Sequence, residues 1–162
     1  MGDQHYWFFL YNIAPQNARI HCLPEDTDMA GETSLSLLLR SMSPELNEGD
    51  YVFCSLTDAS LLDGREPIGS FREREGLTVI LHREDAQALG LPFDYLAAWI
   101  TLNVHSALEA VGLTAAFAGA LGKAGISCNV IAGYYHDHLF VGRDDAERAL
   151  QVLRELAEHG EE

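Results

Sequence analysis

Between residues 100 and 156 the spacing of apolar positions changes period three times. Ile100, Leu102 and Val104 alternate with Thr101, Asn103 and His105, a period of two that predicts a strand with one buried face. Leu113, Ala116, Phe117, Ala120, Leu121 and Ala124 then recur at helical spacing, and Gly125 follows where a left-handed residue ends a helix. Ile126, Cys128 and Val130 restore the period of two, Gly133 marks a turn, and residues 139–141 return as a second strand. Asp144 with Glu147 predicts a capping box for a last helix that carries Ala146, Ala149, Leu150, Leu153 and Leu156.

The first half repeats this scheme in shortened form. Leu35, Leu38, Leu39 and Met42 share one helical face, with Thr33 or Ser34 placed to cap it. Residues 51–56 read as a strand, and Asp63-Gly64 and Pro67 supply turn signals in the loop after it. Residues 70–73 and 77–81 predict a hairpin with Glu75-Gly76 near its turn, and residues 84–89 a short helix ended by Gly90 and Pro92. The βαββα order of the second half belongs to the ferredoxin-like plan. The expected class is therefore α+β, with ferredoxin-like βαββαβ units in tandem and antiparallel sheets that carry helices on one face. The αββα order of the first half matches such a unit without its first strand. Residues 99–104 could then close one sheet, open the other, or do both. The expected division is an extension over 1–32, a first half over 33–95 and a second over 96–162.

The extension needs separate treatment. Residues 6–13 form an aromatic, apolar run preceded by Asp3 and by no Lys or Arg, so it lacks the basic start of a secretory signal. The run is also too short to cross a bilayer. Two readings remain: an extra strand ended by Pro15, or sequence upstream of a start at Met29.

Composition then excludes several classes of function. With 48% hydrophobic residues the chain can build a core. A net charge of −15 argues against nucleic acid, which needs clustered Lys and Arg, and against anionic membranes. Cys22, Cys54 and Cys128 are scattered and form no C-x-x-C pair, so neither a disulfide framework nor a thiolate zinc site is suggested. A reducing, cytoplasmic setting is expected. No nucleophile elbow, P-loop or dinucleotide-binding glycine motif is present. His136 and His138 flank Asp137 and would put both rings on one face of a strand, with His105 or Asp137 as a third metal ligand. A solvated hairpin turn explains the same three residues. The acidic residues Glu73 and Glu75, beside Arg72 and Arg74, read in the same way as a solvated hairpin face.

The residues filling the helix junctions carry a more specific signal. Gly112-Leu113 opening one helix and Ala124-Gly125-Ile126 closing it resemble the ACT domain, a small regulatory module that binds amino acids. The strings Thr101-Leu102-Asn103-Val104-His105-Ser106, Glu109-Ala110-Val111-Gly112-Leu113-Thr114 and residues 128–138 extend the likeness. With Phe71-Arg72-Glu73 and Glu75-Gly76-Leu77-Thr78 they resemble a bacterial group of small tandem ACT-like proteins, described as predicted amino-acid-binding. The likeness runs from about residue 35 to residue 156.

That resemblance implies a non-enzymatic sensor or regulator of a free amino acid or related metabolite, without cofactor. The residues themselves give such binding a physical basis. The first amides of a helix lack intrahelical acceptors, and with the helix dipole they favour an anion by about 0.3–1 kcal/mol. Gly112, Leu113 and Thr114 would present those amides to a ligand carboxylate, and Gly112 would leave room for its approach. Ser106, Asn129 and Ile131 would line the same pocket, with Arg72 and Glu75 reaching it from the other half. Glu109 stands three residues before Gly112, where many ACT domains carry an Asp, so the ligand's ammonium has no assigned partner. Two other classes stay open: a metal-dependent enzyme on His105, His136 and His138, and a ligand-free oligomerisation module, since ACT-like sheets often pair edge to edge. A homo-oligomer is compatible with every one of these readings.

Overall fold

Six short segments expected as strands, with a seventh that lacks the alternation, form one antiparallel sheet, and the helical periods become a layer on one of its faces. The structure, a computed structural model, describes residues 34–104 and 111–159. The expectations for residues 6–13, Met29, Thr33, His105, Ser106 and Glu109 lie outside those residues. The elements run α1 (Leu35–Ser41), β1 (Ser43–Leu46), β2 (Tyr51–Leu56), β3 (Gly69–Arg72), β4 (Leu77–His82), α2 (Arg83–Ala88), β5 (Leu96–Asn103), α3 (Leu113–Lys123), β6 (Cys128–Ala132), β7 (Asp137–Gly142) and α4 (Ala146–His159).

The sheet order is β3-β4-β2-β5-β7-β6, with β1 also paired to β5. Strand β5 is the hinge of the architecture. Its start pairs with β2 through Leu96 and Ala97, its middle with β7, and its end with β1 through Ile100 to Asn103. It therefore closes the first unit (β5-β2-β4-β3) and opens the second (β1-β5-β7-β6). Sharing of this strand between the halves was one of the arrangements the sequence allowed.

Several details differ from the sequence expectation. The first half does not lack its opening strand: β2 fills that role, and a 3-10 turn over Ala59–Leu62 stands where a helix would cross back. Helix α1 instead packs with the second half, where Leu38, Leu39 and Met42 join Phe117, Leu150 and Leu153 in one core. A seven-residue amphipathic helix shows which face it must bury, but nothing about which sheet will cover it. Strand β1 was missed because Ser43, Pro44 and Glu45 break the apolar alternation. Proline is tolerated there because it sits on the outer edge of β5's end, away from the sheet centre. The predicted capping box is also replaced. Helix α4 is entered through a 3-10 turn over Arg143–Asp145, and it is Asp145 that bonds into the helix, to Arg148 Nη1 at 2.6 Å.

The register separates the two faces. Ala98, Ile100, Leu102, Leu139 and Val141 face the helices α1, α3 and α4, while Val52, Cys54, Val79 and Leu81 face α2 and the 3-10 turn. The other face is aromatic: Tyr51, Phe53, Trp99 and Phe140 interlock there, with Trp99 stacked on Phe140 at 6.0 Å between ring centroids. Tyr51, Ile80 and Phe140 are almost completely buried although no helix of the described residues joins their cluster.

Candidate functional site

Helix α3 starts where expected, and its first residue is set by a glycine. Gly112 occupies the N-cap with φ of +103°, a left-handed conformation that costs any other residue. Its carbonyl accepts the amide of Ala116 at 2.9 Å and begins the helix ladder. A Cβ at Gly112 would lie 3.0 Å from Leu35 Cδ2, so α1 fills the space beside this glycine. Leu113 is buried in the core, whereas Thr114 is exposed. These three residues share one corner of the molecule, and only the helix-start amides and the Thr114 side chain are on offer there.

The remaining expected site residues are placed elsewhere. Asn129 pairs with Phe140 and Ile131 with His138, so both lie on the aromatic face rather than with the helices. Asn129 donates from Nδ2 to the Phe140 carbonyl at 3.3 Å, and Ile131 stays exposed on the outer strand β6. Arg72 ends β3, and Glu75 sits in the turn after it, both exposed, at the opposite edge of the sheet. Within one chain the structure thus brings together Gly112, Leu113 and Thr114. It does not bring Asn129, Ile131, Arg72 or Glu75 to them.

A residue the binding reading had not used lies on the helix-side face at the end of β7. Asp137 alternates with Leu139 and Val141, so it faces the helix side, and it pairs with Leu102 and Ala132 at the end of the sheet. In the chain, α3 is the next element after β5. Asp137 is only 7% exposed, a rare state for a carboxylate. Burial pushes its carboxyl above the usual range, while His138 and His136 pull it down. The signal was legible: if His136 and His138 share one face of a strand, the residue between them must share the face of Leu139 and Val141.

The two histidines are engaged with neighbouring strands. Trp99 Nε1 donates to His138 Nδ1 at 3.1 Å, and the Thr101 hydroxyl stands 3.2 Å from the same nitrogen. Asn47 donates in turn to Thr101 Oγ1 at 2.9 Å. Because indole can only donate, His138 Nδ1 must accept, so the proton resides on Nε2. Burial lowers the His138 pKa, with His136 adding to the effect and Asp137 opposing it. His136 Nδ1 approaches the Val104 carbonyl at 3.5 Å. Among the described residues no three metal-ligating side chains converge, and no helix is long and apolar enough to cross a membrane.

Comparison with known proteins adds family and fold. Two ACT-domain family models match in tandem, one over residues 30–98 and the other over residues 96–155. A Vibrio cholerae protein of unknown function, described as a possible transport protein, is 60% identical, with 76% of this chain and 95% of that one covered at a TM-score of 0.70. A structure from Agrobacterium tumefaciens superposes with a TM-score of 0.57 at 17% identity, covering 72% of this chain and 89% of that one. The ligand-free regulatory subunit of aspartate kinase from Thermus thermophilus does so with a TM-score of 0.52 at 10% identity, covering 71% and 97%. At such identities the last two show a shared fold. No curated protein matches the sequence.

Proposed function

Since the chain belongs to the ACT-domain family and carries two such domains in tandem, we propose that it is a non-enzymatic sensor or regulator that binds a free amino acid at the start of α3. The observation that carries this reading is Asp137. A buried carboxylate is costly unless a cation or a set of donors meets it. It shares the helix-side face, and the sheet end, from which the chain passes to Gly112 and the free amides of α3. A zwitterion satisfies both: its carboxylate takes the helix amides and the exposed Thr114 hydroxyl, and its ammonium takes Asp137. Asp137 thereby supplies the ammonium partner that Glu109 left open. The fold shared with the aspartate kinase regulatory subunit supports a regulatory role without assigning a client.

The test is a thermal-shift panel of the common amino acids on the full chain. At a hundredfold excess over its dissociation constant, a ligand adds about 2.7 kcal/mol of stability, which a small protein reports as a clear rise in Tm. Asp137→Asn should abolish the shift for the amino acid that causes it while the variant stays folded. If no amino acid moves the transition at tens of millimolar, the sensor reading is wrong.

A further inference from the structure

A polar cavity, well separated in sequence from the start of α3, lies where the two units meet. It has a volume of about 480 Å³ and is walled by Glu48, Asp50, His82, Arg83, Glu84 and Arg143. The two arginines occupy equivalent places in the two halves. Arg83-Glu84-Asp85-Ala86 leads from β4 into α2, and Arg143-Asp144-Asp145-Ala146 leads from β7 into α4. The register brings these junctions together: His82, Tyr51, Ala97 and Gly142 form one row across β4, β2, β5 and β7, and each arginine follows an end of that row. The duplication of the unit has therefore placed two guanidinium groups around the seam where β2 meets β5.

One carboxylate serves both groups. Asp50 Oδ2 meets Arg83 Nη1 at 2.9 Å, and Asp50 Oδ1 meets Arg143 Nε at 2.7 Å. Asp50 has no second copy to match the second arginine, because β5 carries Leu96 and Ala97 where β2 is entered by Asp50 and Tyr51. Each guanidinium has five N–H donors in a planar fork. Asp50 takes one nitrogen from each fork, and Arg83 Nε is sealed from solvent without an acceptor. The other nitrogens of Arg143 have no further partner among the described residues.

The wall is also held still. Tyr51 donates its hydroxyl to the Glu48 carbonyl at 2.7 Å, the His82 ring packs on Tyr51 at 4.7 Å, and the Arg83 amide donates to the Asp50 carbonyl at 2.9 Å. Such fixed positions reduce the ordering cost of binding.

We propose that this seam is a second ligand site, distinct from the start of α3, which takes a small oxyanion, carboxylate or phosphate, across Arg83 and Arg143. Asp50 positions the two forks, and the anion takes the solvent-facing donors that Asp50 leaves. In a chain of net charge −15 with only ten Lys and Arg, two arginines converging on one cavity make a local exception to the field. Screening at physiological salt confines that field to about 8 Å, so the near groups decide. Glu48 and Glu84 oppose a highly charged ligand and select a small one. A ligand spanning both arginines would couple the two units, because each unit contributes one.

The experiment is calorimetric titration of the full chain with inorganic phosphate and, separately, with succinate, at an ionic strength held constant with sodium chloride. One saturable site is expected, and whichever anion binds more tightly identifies phosphate or carboxylate as the preferred chemistry. Arg143→Gln should weaken binding at least tenfold, and Glu84→Gln should tighten it at least twofold. Arg143→Lys, which keeps the charge and loses the fork, should fall between wild type and Arg143→Gln and guards against a folding defect in the latter. Heats that do not saturate, or affinities equal in wild type and both folded Arg143 variants, would overturn the proposal.

Discussion

The two halves share a strand order and differ in what covers it. In the second half α1, α3 and α4 bury Ile100, Leu102, Leu139 and Val141 under a core that includes Phe117, Leu121 and Leu153. In the first half the six-residue α2, a 3-10 turn and the segment with Leu89, Leu91 and Phe93 cover Val52, Cys54, Val79 and Leu81. The first half replaces helix packing with local ties. Asp58 accepts the Ser60 amide at 2.9 Å, and Arg65 pairs with Asp85 at 3.0 Å. The difference teaches where binding can reside. Among the described residues, a strand followed in the chain by a long helix with an exposed start is found in the second half alone. If binding resides there, the first half serves it as a buttress through the shared β5.

The sharpest way to break this comparison is to damage each core in turn. Phe117, on α3, is fully buried in the core of the second half, so Phe117→Ala should cost about 3–5 kcal/mol. Leu81→Ala, in the smaller and more adaptable core, should fall near the lower end of about 2–5 kcal/mol. Because β5 belongs to both units, each variant should shift one cooperative transition when denaturant unfolding is followed by tryptophan fluorescence and by circular dichroism. Two separated transitions in either variant would show that the first half is an independent domain rather than a buttress.

A smaller effect separates the two halves at their glycines. Gly112 and Gly90 both have positive φ, but only Gly112 has a neighbour in the way, Leu35 of α1. Gly90→Ala should cost only the left-handed strain of about 1–2 kcal/mol. Gly112→Ala adds overpacking to a similar strain, so a loss of about 2–4 kcal/mol is expected. Truncating Leu35 to alanine in the Gly112→Ala background should recover part of that loss, a coupling that a double-mutant cycle in urea measures. Without coupling, the contact between α1 and the α3 start is not tight, and the corner is more open than described.

How much of this could be read in advance follows the same contrast. The second half was legible almost throughout, because long periodic segments ended by Gly125 and Gly133 leave few alternatives. The sharing of β5 was visible as an open choice because one strand had to serve two incomplete patterns. What stayed hidden depended on tertiary choice: that α1 would cover the second half, that Ser43-Pro44-Glu45 would pair along β5, and that Arg83 would meet Arg143 through Asp50. The start of α3, where the site is proposed, was legible from Gly112. Asn129 and Ile131 were misplaced because strand alternation was not carried through from Leu139 and Val141 across the β6–β7 pair. The same alternation would have turned Asp137 inward.

The smallest predicted effect is a pH dependence, and it tests whether Asp137 is buried as described. Burial raises the Asp137 pKa in the folded state above its ordinary 3.8, so its contribution to stability is full below that value and is lost as pH rises through the folded pKa. His138 is lowered from 6.5, so its contribution is full above 6.5 and is lost as pH falls through its folded pKa. The two groups therefore tilt the stability curve in opposite directions over the acid range and partly mask one another. Asp137→Asn removes one of them while preserving shape. Without ligand, the variant should gain on wild type steadily as pH rises from 3.8 through the folded Asp137 pKa, then keep a constant lead. The remaining loss below 6.5 should then be that of His138, whose Nδ1 is already occupied by the Trp99 and Thr101 donors and cannot take a proton without displacing them. Chemical denaturation of both proteins at closely spaced pH values reads the difference directly. A difference curve that is flat between pH 4 and pH 7 would mean that the Asp137 carboxylate is solvated, and it would remove the ammonium partner from the proposed amino-acid site.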